Sequence, residues 1–224
     1  MRHWARWYAA AAVVTLVAAT ACSPGGGGGG GGGGMAGGGM KMGPSPNTMV
    51  TGDMLQKATS SGDWLMYGHN YWNNRFSPLS AINASNVKNL VPRMVLQTGT
   101  EKLGSFETTP VVVNGIMYVT TPVTPTNDVM AYDLRQGGKM LWRYTHKTGQ
   151  NSFGVACCGP NNRGVAVANG ALFLGTLDGQ LIALDQQTGK EKWATQVGDP
   201  AFGYTETMAP LVIGDKVIIG TSGA

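Results

Sequence analysis

Charge is scarce in this chain: 12% of its 224 residues are Asp, Glu, Lys or Arg. Within residues 61–224, 12 Lys and Arg stand against 11 Asp and Glu. With no excess of cations to neutralise a phosphate backbone, nucleic-acid binding is excluded as a function class. The three histidines stand apart and form no ligand spacing with cysteine, so no zinc motif exists. Long apolar runs are also missing, because the stretch from Tyr8 to Ala19 falls short of the roughly 20 residues a spanning helix needs. Cysteine is limited to Cys22, Cys157 and Cys158, too few for a disulfide framework.

What is present divides the chain in three. Residues 1–22 carry Arg2, His3 and Arg6, the short apolar stretch, and then Ala19-Thr20-Ala21 before Cys22, the pattern of an export signal. Cleavage before Cys22 would expose that thiol for lipid attachment, as in bacterial lipoproteins, and the product is expected in the periplasm, anchored to the outer membrane. Residues 23–60 contain an unbroken glycine run, Gly25–Gly34, followed by a Met- and Gly-rich stretch. No Lys-Ser or Lys-Thr follows that run and no strand precedes it, so it is not a phosphate loop. Glycine loses most backbone entropy on ordering and buries nothing, which predicts a disordered tether. Residues 61–224 are expected to hold the folded part.

That part repeats. The clearest unit runs from Gly164 through Asn169-Gly170, Asp178-Gly179 and Thr188-Gly189-Lys190 to Trp193. Asn-Gly and Asp-Gly accept the positive φ of two-residue hairpin turns, so the unit reads as four short antiparallel strands. An earlier copy carries Pro110–Val119 with Asn114-Gly115, then Val129–Leu134 and Gly138–Trp142; a third begins at Ala209. Spacings of 55 and 45 residues between the Asn114, Asn169 and Gly214 turns fit propeller blades. The expected fold is all-β, a partial β-propeller of about three four-stranded blades. Trp142 and Trp193, late in their repeats, are expected to lock one blade to the next.

Cys157 and Cys158 are adjacent. Consecutive cysteines either bridge through a strained eight-membered ring, of the kind found at ligand clamps, or remain two buried thiols. An oxidising compartment favours the bridge.

These residues resemble the pyrroloquinoline quinone (PQQ)-dependent alcohol dehydrogenases, the methanol and ethanol dehydrogenase family of eight-bladed propellers. The resemblance covers roughly Ser61 to Ala224. It is carried by Asp63–Asn70 with Asn74–Leu79, by Ser105–Pro110, by Cys157-Cys158 with Arg163 five residues on, and by Thr205–Pro210 running to Ser222-Gly223-Ala224. It implies that a Cys157–Cys158 disulfide forms a wall against the PQQ ring and that Arg163 holds quinone oxygens. By the same resemblance Glu107, Thr207 and Ser222 supply polar contacts, and the backbone of Gly223 and Ala224 approaches a PQQ carboxylate.

The implied reaction is oxidation of a small primary alcohol, with Ca²⁺ or a lanthanide as Lewis acid and cytochrome c or membrane quinone as electron acceptor. The family's metal ligands and catalytic aspartate fall beyond Ala224. No catalytic or metal residue is therefore expected within the chain, which reads as the N-terminal part of a larger enzyme without turnover of its own. The alternative is a non-catalytic, lipid-anchored propeller scaffold of the outer-membrane assembly type; Glu107, Arg163 and the cysteine pair favour the enzyme.

Overall fold

Valine-rich runs separated by Asn-Gly turns produce hairpins, and the computed structural model, which describes residues 48–100, 106–123, 126–156 and 159–222, shows how they stack. Val111–Val113 (β1), Ile116–Thr120 (β2), Thr126–Asp133 (β3) and Lys139–Lys147 (β4) form a four-stranded antiparallel sheet in sequence order. Ala166–Ala168 (β5), Ala171–Gly175 (β6), Gln180–Asp185 (β7) and Glu191–Gln196 (β8) form a second. Leu211–Ile213 (β9) and Lys216–Ile218 (β10) pair as a two-stranded third. The fold is all-β, a partial propeller of antiparallel blades.

The hairpin turns follow from backbone sterics. Asn114 and Gly115 have φ of 48° and 76°, and Asn169 and Gly170 have φ of 50° and 73°, the doubly positive pattern of a type I′ turn. Asn169→Val puts a β-branched residue into the left-handed region, and we expect a loss of about 1–2 kcal/mol. Asn169→Gly should be near neutral, and paired thermal melts of the two variants check the difference. The Asp178-Gly179 turn departs from the expected two-residue form. Only Gly179 has positive φ, and its N–H donates to Thr176 O at 2.9 Å in a longer loop. The Asp178 carboxylate is taken up elsewhere, accepting from Thr176 Oγ1 at 2.6 Å and lying 2.9 Å from His146 Nε2 on the first blade.

Each inner strand is buried on both faces, which explains runs of apolar residues where a one-sided sheet would alternate. In β3, Val129 and Ala131 join the main core, while Met130 and Tyr132 turn the other way and pack with Val119 and Leu96. The main core continues through Leu172, Leu174, Ile182 and Leu184 of the second blade to Val212 of the third. Both complete blades carry a bulge at the same place. Leu141 is the extra residue between the Ala131–Trp142 and Tyr132–Met140 pairs, and Lys192 the extra one between Ala183–Trp193 and Leu184–Glu191. Each bulge adjoins the tryptophan and re-aims the strand there.

Trp142 docks as expected: a Cβ built on Gly189, in the turn before β8, would lie 2.5 Å from Trp142 Cε3. Tyr118 adds a second link, its hydroxyl donating to Gln186 O at 3.4 Å. Trp193 instead packs within its own blade, its ring centroid 6.0 Å from that of Phe173.

An aspartate starts the turn to the last strand of both complete blades. Asp185 Oδ1 accepts from the N–H groups of Gln187 and Thr188 and from Thr188 Oγ1. Asp133 accepts from Arg135 Nε and Nη2 at 2.9 and 3.0 Å, and this bonding holds its carboxyl down to about 2.

The packed chain begins earlier than the expected boundary at residue 61. Val50, Leu55 and Ala58 belong to the main core, and Gly52–Gln56 (α1) is capped by Thr51, whose hydroxyl accepts from Met54 N. Asn169 N donates to Val50 O at 2.7 Å. The apolar residues of 48–60 thus cover the edge of the second blade, a role that composition alone conceals.

Candidate functional site

The stretches that precede the first strand of each repeat lie side by side. Thr109 N donates to Arg163 O at 3.0 Å, and Arg163 N donates to Thr207 O at 3.1 Å. Equivalent positions of three repeats are thereby joined into one ladder of backbone bonds. Gly164 has φ of 126°, and a Cβ there would stand 2.9 Å from Thr109 O, so only glycine allows the approach.

Side chains converge on the same place. Arg163 Nη2 pairs with Glu107 Oε2 at 2.6 Å, with 30% and 32% of the two side chains exposed. Arg163 Nη1 donates to Thr207 Oγ1 at 2.9 Å. The guanidinium is thus fixed by a carboxylate on one repeat and a hydroxyl on another, which suits a planar fork better than a lysine. Ser222 joins through a neighbour: it forms an isolated antiparallel bridge with Thr205, and the two hydroxyl oxygens are 2.9 Å apart.

Of the predicted residues, Glu107, Arg163 and Thr207 come together directly, and Ser222 lies on the same ladder by way of Thr205. Cys157, Cys158, Gly223 and Ala224 fall outside the described residues, as does Cys22.

Residues not singled out from the sequence complete the site. Asn161 Nδ2 donates to Glu107 Oε1 at 3.1 Å, while Arg163 pairs with Oε2. Asn162 is buried; its Nδ2 donates to Asn127 Oδ1 and to Gly175 O, both at 2.9 Å, and its Oδ1 accepts from Gly164 N at 3.0 Å. This locks the loop that carries Arg163 to both complete blades. Arg75, at φ of 54°, donates to Thr109 Oγ1 at 3.1 Å and lies over the Tyr67 ring at 5.0 Å. Consecutive buried asparagines beside an arginine are the signal that could have marked this loop, because buried amides must be satisfied.

The arrangement can hold an oxygen-rich anion. It offers one fixed guanidinium, whose charge is balanced by Glu107, and nearby hydroxyls that can donate or accept. Among the described residues no group of three His, Cys, Asp or Glu side chains gathers.

A fold of stacked blades with an arginine–glutamate site where they meet defines a class, and comparison supplies the family. Residues 64–224 match the family described as PQQ, glucose/ethanol/alcohol dehydrogenase β-propeller domain, and the chain belongs to it. It is 39% identical over 185 residues, 83% of its length, to a lanthanide-dependent methanol dehydrogenase of Methylorubrum extorquens, of which it covers 30%. It is 42% identical over 167 residues, 74% of its length, to a 1-butanol dehydrogenase (cytochrome c) of Thauera butanivorans, of which it covers 23%. A solved europium-containing methanol dehydrogenase superposes with a TM-score of 0.70 at 44% identity, over 76% of this chain and 29% of that one. The chain thus spans less than a third of the length of these relatives.

Proposed function

We propose that the chain forms part of a PQQ-dependent dehydrogenase that oxidises small primary alcohols, and that its share of the work is to bind and orient the cofactor. The observation that carries this is the Arg163 guanidinium, held between Glu107 and Thr207 where three repeats meet. That donor set suits a planar ligand bearing carboxylates and quinone oxygens. Arg163 would hold an oxygen of PQQ, and Glu107, Thr207 and Ser222 would fix its polar edge. Gly223 and Ala224 would present backbone N–H groups to a carboxylate, and a Cys157–Cys158 bridge would give a flat, aprotic wall.

PQQ, when bound, supplies a two-electron acceptor, and a Ca²⁺ or lanthanide ion with it would act as a Lewis acid. The residues of this chain supply position and charge. Arg163 is preset by its bonds to Glu107 and Thr207, so it needs no rearrangement when negative charge grows on a nearby oxygen. Asn161 and Asn162 keep the loop from drifting. A cytochrome c is the electron acceptor we favour, in keeping with the name of the butanol-oxidising relative. Export to the periplasm and lipid attachment at Cys22 complete the proposal.

Incubating the purified chain with PQQ and Ca²⁺, followed by gel filtration, tests this reading. Quinone absorbance is expected to co-elute with the protein at about one equivalent. Protein eluting free of quinone at saturating PQQ would overturn the cofactor-binding role given to this chain.

A further inference from the structure

Glu206 sits between the two threonines of the site and faces away from it. Along an extended segment successive side chains point to opposite sides; Thr205 and Thr207 reach Ser222 and Arg163, while Glu206 turns back between the second and third blades. It is lodged against two glycines. A Cβ on Gly175 would come within 3.3 Å of Glu206 Cβ, and one on Gly198 within 3.0 Å of Glu206 Oε1.

The side chain is fully buried, and neither carboxyl oxygen has a hydrogen-bond partner among the described residues. A buried carboxylate without partners is costly, so such a group takes up a proton instead. Burial pushes this carboxyl up to about 7.

Among the described residues no ionised group answers it from the packed elements. Around Gly175 stand Ile219 and Met208 O, and around Gly198 stand Tyr204 and Thr221. Asp178, on the β6–β7 turn, is engaged by His146 and Thr176. Asp199, in the loop after β8, accepts from Ala201 N, and Asp215 at the β9–β10 turn pairs with Lys216. Glu107 and Arg163 bind each other at the site itself.

We propose that Glu206 is a positioning residue whose protonated form seats residues 205–207 between the blades, keeping Thr207 and Ser222 at the Arg163 site, and that loss of this proton loosens the grip on the anionic ligand. The route is short. Ionisation drives the carboxyl toward water, and the segment that must move carries the Thr207 carbonyl and hydroxyl bonded to Arg163 and the bridge to Ser222. The ligand half of this inference rests on the proposed function; the seating half does not.

The sign of the pH dependence follows from linkage. A carboxyl whose folded value is raised binds more protons in the folded than in the unfolded state between about 4.5 and about 7. Its stabilising contribution is complete at the acid end, falls as pH rises through that window, and levels off above it.

The test compares the wild-type chain with Glu206→Gln, which keeps the shape and cannot ionise. Thermal midpoints and PQQ dissociation constants are measured from pH 4.5 to 8.5. Relative to E206Q, we expect the wild-type midpoint to fall by roughly 5 °C more across the window and its PQQ dissociation constant to rise about tenfold more between pH 6 and 8. Identical pH profiles for the two proteins would overturn the proposal.

Should E206Q fail to fold, hydrogen exchange of the wild type decides, after correction for the intrinsic pH dependence of exchange. Protection at 205–207 and 222 must drop selectively between pH 6 and 8, and uniform protection would overturn the role. Wild-type midpoints that fall as expected, with no PQQ bound at any pH, would uphold the seating role and overturn the cofactor reading.

Discussion

Replacing Arg163 by leucine is expected to weaken PQQ binding by roughly 100-fold, equivalent to about 3 kcal/mol, with little loss of secondary structure. The guanidinium is held by Glu107 and Thr207 Oγ1, and a charge-assisted bond from it to an anionic oxygen of the ligand would be worth about 1.5–3 kcal/mol. The pair is partly open to water, which lowers the cost of leaving Glu107 alone. Asn161 also continues to hold one Glu107 oxygen. The fold should therefore survive while the anion loses the guanidinium donor that would bind it. Arg163→Lys should fall between, at roughly tenfold weaker, because a single ammonium cannot span a carboxylate and a hydroxyl with fork geometry. Quinone fluorescence titration on the three proteins checks the order, and equal affinities would remove Arg163 from the site.

Gly189→Ala is expected to be a strongly damaging single-methyl change, because it strikes the contact between the first two blades. Gly189 has φ of 69°, and the added Cβ would sit 2.5 Å from Cε3 and 2.7 Å from Cδ2 of Trp142. The left-handed backbone costs alanine about 1–2 kcal/mol, and overpacking against a rigid indole adds about 1–3 kcal/mol. A total near 3 kcal/mol corresponds to a fall of roughly 6–12 °C in thermal midpoint. The double variant Gly189→Ala with Trp142→Phe separates the two causes. Partial recovery is expected, since the smaller ring relieves the clash and leaves the backbone term. No recovery would place the whole effect in the turn and weaken the view that Trp142 locks the blades.

Local signals gave the blades away because they act over a few residues. Asn114-Gly115 and Asn169-Gly170 need only their own backbone to make type I′ turns. What escaped depended on partners far along the chain. The bulges at Leu141 and Lys192 are set by register with β3 and β7 and leave no residue signature. Val50, Leu55 and Ala58 follow a glycine-rich stretch, so composition placed them in the tether, yet the second blade gives them a surface to bury against.

The site was legible in its charged residues and less so in its amides. Glu107 and Arg163 stand out in a chain with little charge, and the resemblance to quinoprotein dehydrogenases gave them a shared role. Asn161 and Asn162 earn theirs through bonds to Glu107, Asn127 and Gly175, spread over more than fifty residues. Glu206 lies inside the Thr205–Pro210 motif, but its direction depends on which of three consecutive side chains faces the Arg163 site, and the Thr205–Ser222 bridge sets that.

The most direct measurement is a crystal structure of the chain grown with PQQ. Density for the cofactor is expected beside the Glu107–Arg163 pair, with a quinone or carboxylate oxygen about 3 Å from the guanidinium. PQQ bound elsewhere on the blades, with no contact to Arg163, would contradict that placement.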